Sequence, residues 1–297
     1  MSLISIQRME GKRVKENKIG SKKMRLPHPT RIFLYFLLIF FVFLTLLPLW
    51  SAVMTALKTE EALIYSNPIQ PPIKPSLEAF GTAFKELRIP ILNSLMFTLP
   101  ATILSCVLGS MAGYALTKVK FRGANTIFLL VIVGIFIPYQ AVLIPLVQII
   151  IKLGLYGTIA ALILTHTAYG VPICTLLFKS FYDSIHDSLI NAAKVDGAGI
   201  WRTYINVILP LSVTPFVVAA VFQFTQIWND LLFGLVLSGA GVSQPASVGL
   251  LNLQGGFVTA WNVQMAGTLW YTIPALIVYL VLGKYLIKGF MAGAIKG

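Results

Sequence analysis

Six long apolar runs constrain this chain more than any other feature. They lie at 32–56, 91–117, about 126–151, 158–178, about 211–237 and about 265–282. A helix crossing a hydrocarbon core ~30 Å thick needs ~20 predominantly apolar residues, and each run is close to that length or longer. Charge is correspondingly scarce: 11% of the 297 residues are Asp, Glu, Lys or Arg, against ~25% in soluble domains. The pattern predicts an all-α integral membrane protein with six transmembrane helices. A basic tail over residues 1–30 precedes the spans, which fill 31–297. The first run is longer than the ~7–15 residues of a signal-peptide core, and Trp50 and Met54 stand where small residues would precede a cut. An uncleaved first span is expected.

A net charge of +13 would suggest nucleic acid in a soluble protein. Here the basic residues fall between apolar runs, as the positive-inside bias requires, so no nucleic-acid partner is expected. With six spans both termini share a side. That side receives the nine Lys/Arg of residues 1–31, then Lys118, Lys120, Arg122, Lys179, Lys194, Arg202, Lys284, Lys288 and Lys296, or 18 of 23. Lys58, Lys74, Lys85, Arg88 and Lys152 fall opposite. The count places both termini in the cytoplasm, together with a polar, turn-rich stretch, Asn191–Pro210.

That stretch, NAAKVDGAGIWRTYINVILP, is hydrophilic yet held between two spans, so it is placed to touch something outside the membrane. Asp187 is expected to cap a short helix over 188–195. Asp196-Gly197 ends it, because glycine adopts the left-handed conformation at little cost. Gly199–Val207 reads as a second short helix, and Pro210 opens the fifth span. An interfacial helix on lipid is the alternative. The balanced charge and small side chains, Ala192 and Ala193 among them, favour a groove on a partner protein.

Covalent chemistry finds no support. There is no G-x-x-x-x-G-K-[ST] phosphate loop, nucleophile elbow or zinc spacing. Cys106 and Cys174, alone in apolar runs, read as small core residues. His166 reads as a hydrogen-bonded interhelical histidine. If ATP drives this protein, another chain binds it. Asp230, in Trp228-Asn-Asp, is the one clear carboxylate at membrane depth. It suits either a polar clamp, with Asn229, to a neighbouring helix or an ion-coupled secondary transporter. Tyr139, Gln140, Gln148, Gln223 and Gln226 suit a polar translocation path and interhelical hydrogen bonding equally well. Prolines recur inside the runs, at 48, 100, 138, 145, 172, 215 and 274, and predict kinks. Gly109 and Gly113 form a GxxxG step that lets helices approach closely. Outside the runs, the 59–90 loop carries Pro68, Pro71, Pro72 and Pro75 in an extended segment, then a short helix with Ser76 as N-cap. The 239–262 loop holds no charge.

The motifs NAAKVDGA…ILP, Trp261-Asn-Val-Gln-Met-Ala-Gly, Ile273-Pro-Ala and Gly289-Phe-Met-Ala-Gly-Ala-Ile-Lys-Gly297, with Phe121-Arg122-Gly123, resemble the permease subunits of binding-protein-dependent ABC importers. The first is similar to their EAA motif, and the last to the sugar-importing, MalG-like branch. The resemblance implies the type I importer (MetI/MalG-like) fold in the inner membrane and no catalysis by this chain. It implies a second, MalF-like permease subunit, two ATPase subunits holding ATP and Mg, and an extracytoplasmic sugar-binding protein. Asp187, Leu189, Asn191, Ala192, Ala193, Asp196, Gly197 and Ala198 would form the ATPase-coupling helix. Asn191 stands where the family usually carries Glu, so its charged contact is replaced by an amide. Gln254, Gly255 and Gly256 would meet the binding protein.

Overall fold

The computed structural model describes residues 28–119, 121–239, 241–255 and 260–294. Every regular element among them is helical, and the one β feature is an isolated bridge between Gly157 and Ser238. By contact the chain divides into two units, 1–49 and 50–297. Helix α1, His28–Ala56, begins in the first unit. Its leucines, isoleucines and phenylalanines circle the helix, so it has no polar face. The basic tail over 1–27 lies outside the described residues.

The second unit is organised by two long helices, α3 (Glu78–Lys118) and α6 (Ile159–Asp183). Between α1 and α3 lie a short helix, α2 (Glu60–Tyr65), and the proline-rich segment. The segment is tied down by Trp50 Nε1, which donates to the Ile69 carbonyl at 2.9 Å, and by Lys58 Nζ, which donates to that of Asn67 at 2.6 Å. Residues 78–90 do not form a separate helix before the second span. They continue into it, giving 41 residues that pass through Pro90 and Pro100. Leu77, not Ser76, holds the cap position, while the Ser76 hydroxyl accepts from the Glu78 N–H at 3.3 Å.

The GxxxG step brings α3 and α6 into backbone contact. A Cβ on Gly109 would overlap that of Cys174, and one on Gly113 would sit 2.9 Å from the Lys179 nitrogen. Cys106 and Cys174 are both buried beside this contact, as the core-residue reading required. Thr158 caps α6, accepting from the Ala161 N–H at 3.3 Å.

Among the described residues, four helices are long and apolar enough to cross a membrane: α1, α3, α6 and α13 (Trp261–Ala294). The other two runs are bent pairs rather than straight spans. The third breaks between α4 (Ala124–Ile135) and the turn Tyr139–Val142 that leads into α5 (Leu143–Lys152), with an angle of 91°. Pro138 explains the break: it lacks a donor and drives its predecessor out of the helical region. The fifth run starts upstream of its predicted boundary. Residues 200–211 are helical and meet α10 (Val213–Trp228) at 77°. The bend therefore falls at Ser212, just beyond Pro210. Between α8 (Ile200–Thr203) and α9 (Leu209–Leu211), a π turn over Tyr204–Ile208 lets the Leu209 N–H reach the Tyr204 carbonyl. Such a turn absorbs the donor that Pro210 removes. This run also ends early. Asn229–Leu231 form a turn before α11 (Leu232–Leu237), so the predicted span to Leu237 is interrupted.

Candidate functional site

Helix α7, Asp187–Val195, follows α6 after a three-residue turn and carries the polar motif. Its end is closed by two bonds. The Gly197 N–H donates to the Lys194 carbonyl at 3.0 Å, and the Ala198 N–H to that of Ala193 at 2.9 Å. Gly197 has φ 76°, the left-handed cap that the Asp-Gly stop predicts. The start differs from expectation. His186 occupies the cap position and Asp187 lies in the first turn, where a carboxylate also favours the helix dipole. The Asp187 carboxylate accepts from Lys118 Nζ at 2.8 Å, and the same ammonium donates to the Ile185 carbonyl at 2.6 Å. Lys118 is buried, so one lysine at the end of α3 pins the entry to α7.

α7 has two faces. Ile190 and Ala193 are buried, Ile190 in a cluster with Tyr182, Tyr204 and Ile208. Ala193 was expected on the docking face and instead faces the chain's own core. Leu189, Asn191, Ala192 and Asp196 are exposed, and Val195 is 87% exposed. Beyond the Gly197 turn, Ile200 and Trp201 are exposed as well, each at 60%.

Behind this element lies a buried joint that local sequence reading did not find. Ser110 Oγ on α3 lies 2.6 Å from Tyr182 Oη on α6 and 2.9 Å from Tyr204 Oη. Ser212 Oγ, at the bend, donates to Tyr182 Oη at 3.3 Å. Tyr114 Oη donates to the Ile200 carbonyl at 3.2 Å. Four segments of the chain therefore meet through hydroxyl groups.

Elsewhere, a cavity of about 1100 Å³ is lined by residues of α4 to α6 and of the 222–233 segment. It gathers Tyr139, Gln223 and Gln226 from the predicted path and adds His166, Tyr169, Asn229 and Asp230. Gln140 and Gln148 are exposed and do not line it. His166 is buried, stacked on Phe97 at 5.6 Å between centroids. It lacks the interhelical hydrogen bond expected of it: its Nε2 has no partner among the described residues, and Asp230 Oδ1 is 3.9 Å away. The Trp228-Asn-Asp turn is clamped. Tyr271 Oη donates to the Trp228 carbonyl at 2.7 Å and reaches Asn229 Oδ1 at 3.3 Å. The Phe233 N–H donates to Asp230 Oδ1 at 2.9 Å, holding the start of α11.

The uncharged loop is less free than its composition suggests. Ser243 Oγ donates to the Gly157 carbonyl at 2.7 Å, and Asn93 Nδ2 donates to the carbonyls of Val242 and Gln244. Helix α12, Ala246–Asn252, packs on α3, where a Cβ at Gly249 would sit 2.9 Å from Pro90 Cβ. Gln254 and Gly255 follow, both exposed. Gly256 lies outside the described residues.

An apolar bundle with a polar, capped helix at one end and a lined cavity within is the architecture of a membrane transport subunit. The family described as "Binding-protein-dependent transport system inner membrane component" matches residues 105–290, and the chain belongs to it. A probable ABC transporter permease protein of Pyrococcus horikoshii is 52% identical, over 92% of this chain and 100% of that protein. The xylose/arabinose import permease protein of Haloferax volcanii is 37% identical, over 89% of this chain and 93% of that one. A bacterial ABC transporter involved in alginate import shares the fold, with TM-score 0.72 at 21% identity, over 88% of this chain and 98% of that one. Family membership displaces the ion-coupled carrier as a reading of Asp230.

Proposed function

We propose that this chain forms half of the translocation pathway of an ATP-driven sugar importer in the cell's inner membrane, with both termini in the cytoplasm. It works beside a second, MalF-like permease subunit and two ATPase subunits that hold ATP and Mg, and it receives sugar from an extracytoplasmic binding protein. The chain itself does no covalent chemistry.

The observation that carries the reading is α7. A nine-residue helix, too short to be stable alone, is fixed at its start by buried Lys118 and at its end by Gly197. It presents Leu189, Asn191, Ala192 and Val195 outward. Small and apolar side chains on a rigid helix suit a groove on a partner. The neutral Asn191 makes this contact rest on packing and hydrogen bonds rather than on an ion pair. Movement of α7 is passed through the Ser110–Tyr182–Tyr204–Ser212 joint to α3, α6 and the bend at Ser212, which tilt between inward- and outward-open states. The sugar class is supported by the 37% identical xylose/arabinose permease.

Proteoliposomes holding this chain with its ATPase, second permease and binding protein test the proposal. Uptake of labelled xylose, arabinose or glucose is expected only with ATP and all partners present. Uptake by this chain alone along a proton or sodium gradient, or none with every partner present, contradicts it.

A further inference from the structure

Gln223 is 4% exposed, yet it lines the cavity, and no side-chain hydrogen bond joins its amide to another described residue. An amide that opens on a cavity without a protein partner can donate to and accept from whatever occupies it. Its seat is made by Gly170: a Cβ there would overlap Gln223 Nε2 and Ser105 Oγ. Asp230 lines the same cavity with its side chain 15% exposed. One of its carboxylate oxygens receives the Phe233 N–H, and carboxylates accept several bonds. Tyr169, packed 5.2 Å from the Phe233 ring, contributes an aromatic wall.

An amide that donates and accepts, a carboxylate that accepts, and a tyrosine ring are complementary to a sugar's hydroxyls and its C–H face. No lysine or arginine appears among the described residues lining the cavity. A carboxylate with no lysine or arginine beside it, its nearest basic neighbour being buried His166 at 3.9 Å, repels an anionic ligand in a low-dielectric site. Resting on the sugar-import reading above, we propose that Gln223, Asp230 and Tyr169 form a hydroxyl-reading subsite for a neutral sugar, and that Gly170 is the positioning residue that seats the Gln223 amide. The subsite excludes uronate-type sugars.

The test uses the complete importer in proteoliposomes. The probes are whichever of D-glucose, D-xylose and L-arabinose the unmodified complex takes up, and the monodeoxy analogues of that sugar. The binding protein's own selectivity is common to all variants and cancels when each parent-to-analogue uptake ratio is compared with the unmodified one. If Gln223 reads a hydroxyl, that ratio falls by about tenfold in Gln223→Leu for one analogue, since a hydroxyl that has lost its partner no longer matters when removed. Gly170→Ala gives a fall in the same ratio, and Gln223→Asn a smaller one. Should Gln223→Leu fail to assemble, the asparagine variant carries the comparison. Ratios unchanged for every analogue, whether or not total uptake falls, overturn the subsite and leave the sugar reading standing. If the unmodified complex takes up none of the three sugars, the sugar reading fails and the subsite with it.

Discussion

The joint beneath α7 and the seam beside the cavity handle buried polarity in opposite ways. At the joint, Ser110, Tyr182, Tyr204 and Ser212 are all buried and all hydrogen-bonded to one another or to backbone. Along the seam, Thr98, Thr102 and Ser105 on α3, and Thr165, His166 and Thr167 on α6, each hold a buried polar atom with no partner among the described residues. A satisfied network rigidifies what it joins, whereas an orphaned group costs about 1–3 kcal/mol. The chain is therefore built stiff where a push must be transmitted. It is unfinished where a ligand, water or a neighbouring subunit can complete it.

Four substitutions break or sharpen that contrast. Gly197→Pro has the largest effect. It forces φ from 76° to about −65° and removes the bond to Lys194, so the end of α7 loses about 3 kcal/mol. Uptake is expected to drop below about a tenth while membrane insertion, read by protease protection, is unchanged. Ser110→Ala takes a hydrogen bond from both Tyr182 and Tyr204 and costs about 2 kcal/mol, seen as a lower thermal midpoint in detergent. Lys118→Met costs about 1 kcal/mol by the same measurement, because Asp187 is 47% exposed and water replaces its partner. Thr102→Val, on the seam, is neutral or stabilising by up to about 1 kcal/mol, since it removes an orphaned hydroxyl. A loss above about 1 kcal/mol there would erase the contrast.

Much of the fold was legible because its signals are local. Run length gave the spans, Gly109 and Gly113 gave a close helix approach but not its partner, and Asp196-Gly197 gave the stop of α7. The misses are non-local. Lys118 counts as a loop charge until α3 is seen to end against the start of α7, across 69 positions. Ser110 meets Tyr204 across 94, and no spacing rule reaches that far. Ala193 was misplaced because a helix of small residues gives little periodicity to distinguish its buried face. The cavity was half legible: polarity picked out Gln223 and Gln226. It also picked out Gln140 and Gln148, because polarity alone does not say which side of a bent span faces inward.

A photo-crosslinking residue at Val195, on the assembled importer, tests the central claim most directly. The account predicts an adduct with the ATPase subunit, and none from the same probe at Leu104, which is exposed on α3. A complex that still transports sugar but gives no ATPase adduct at Val195 would contradict it.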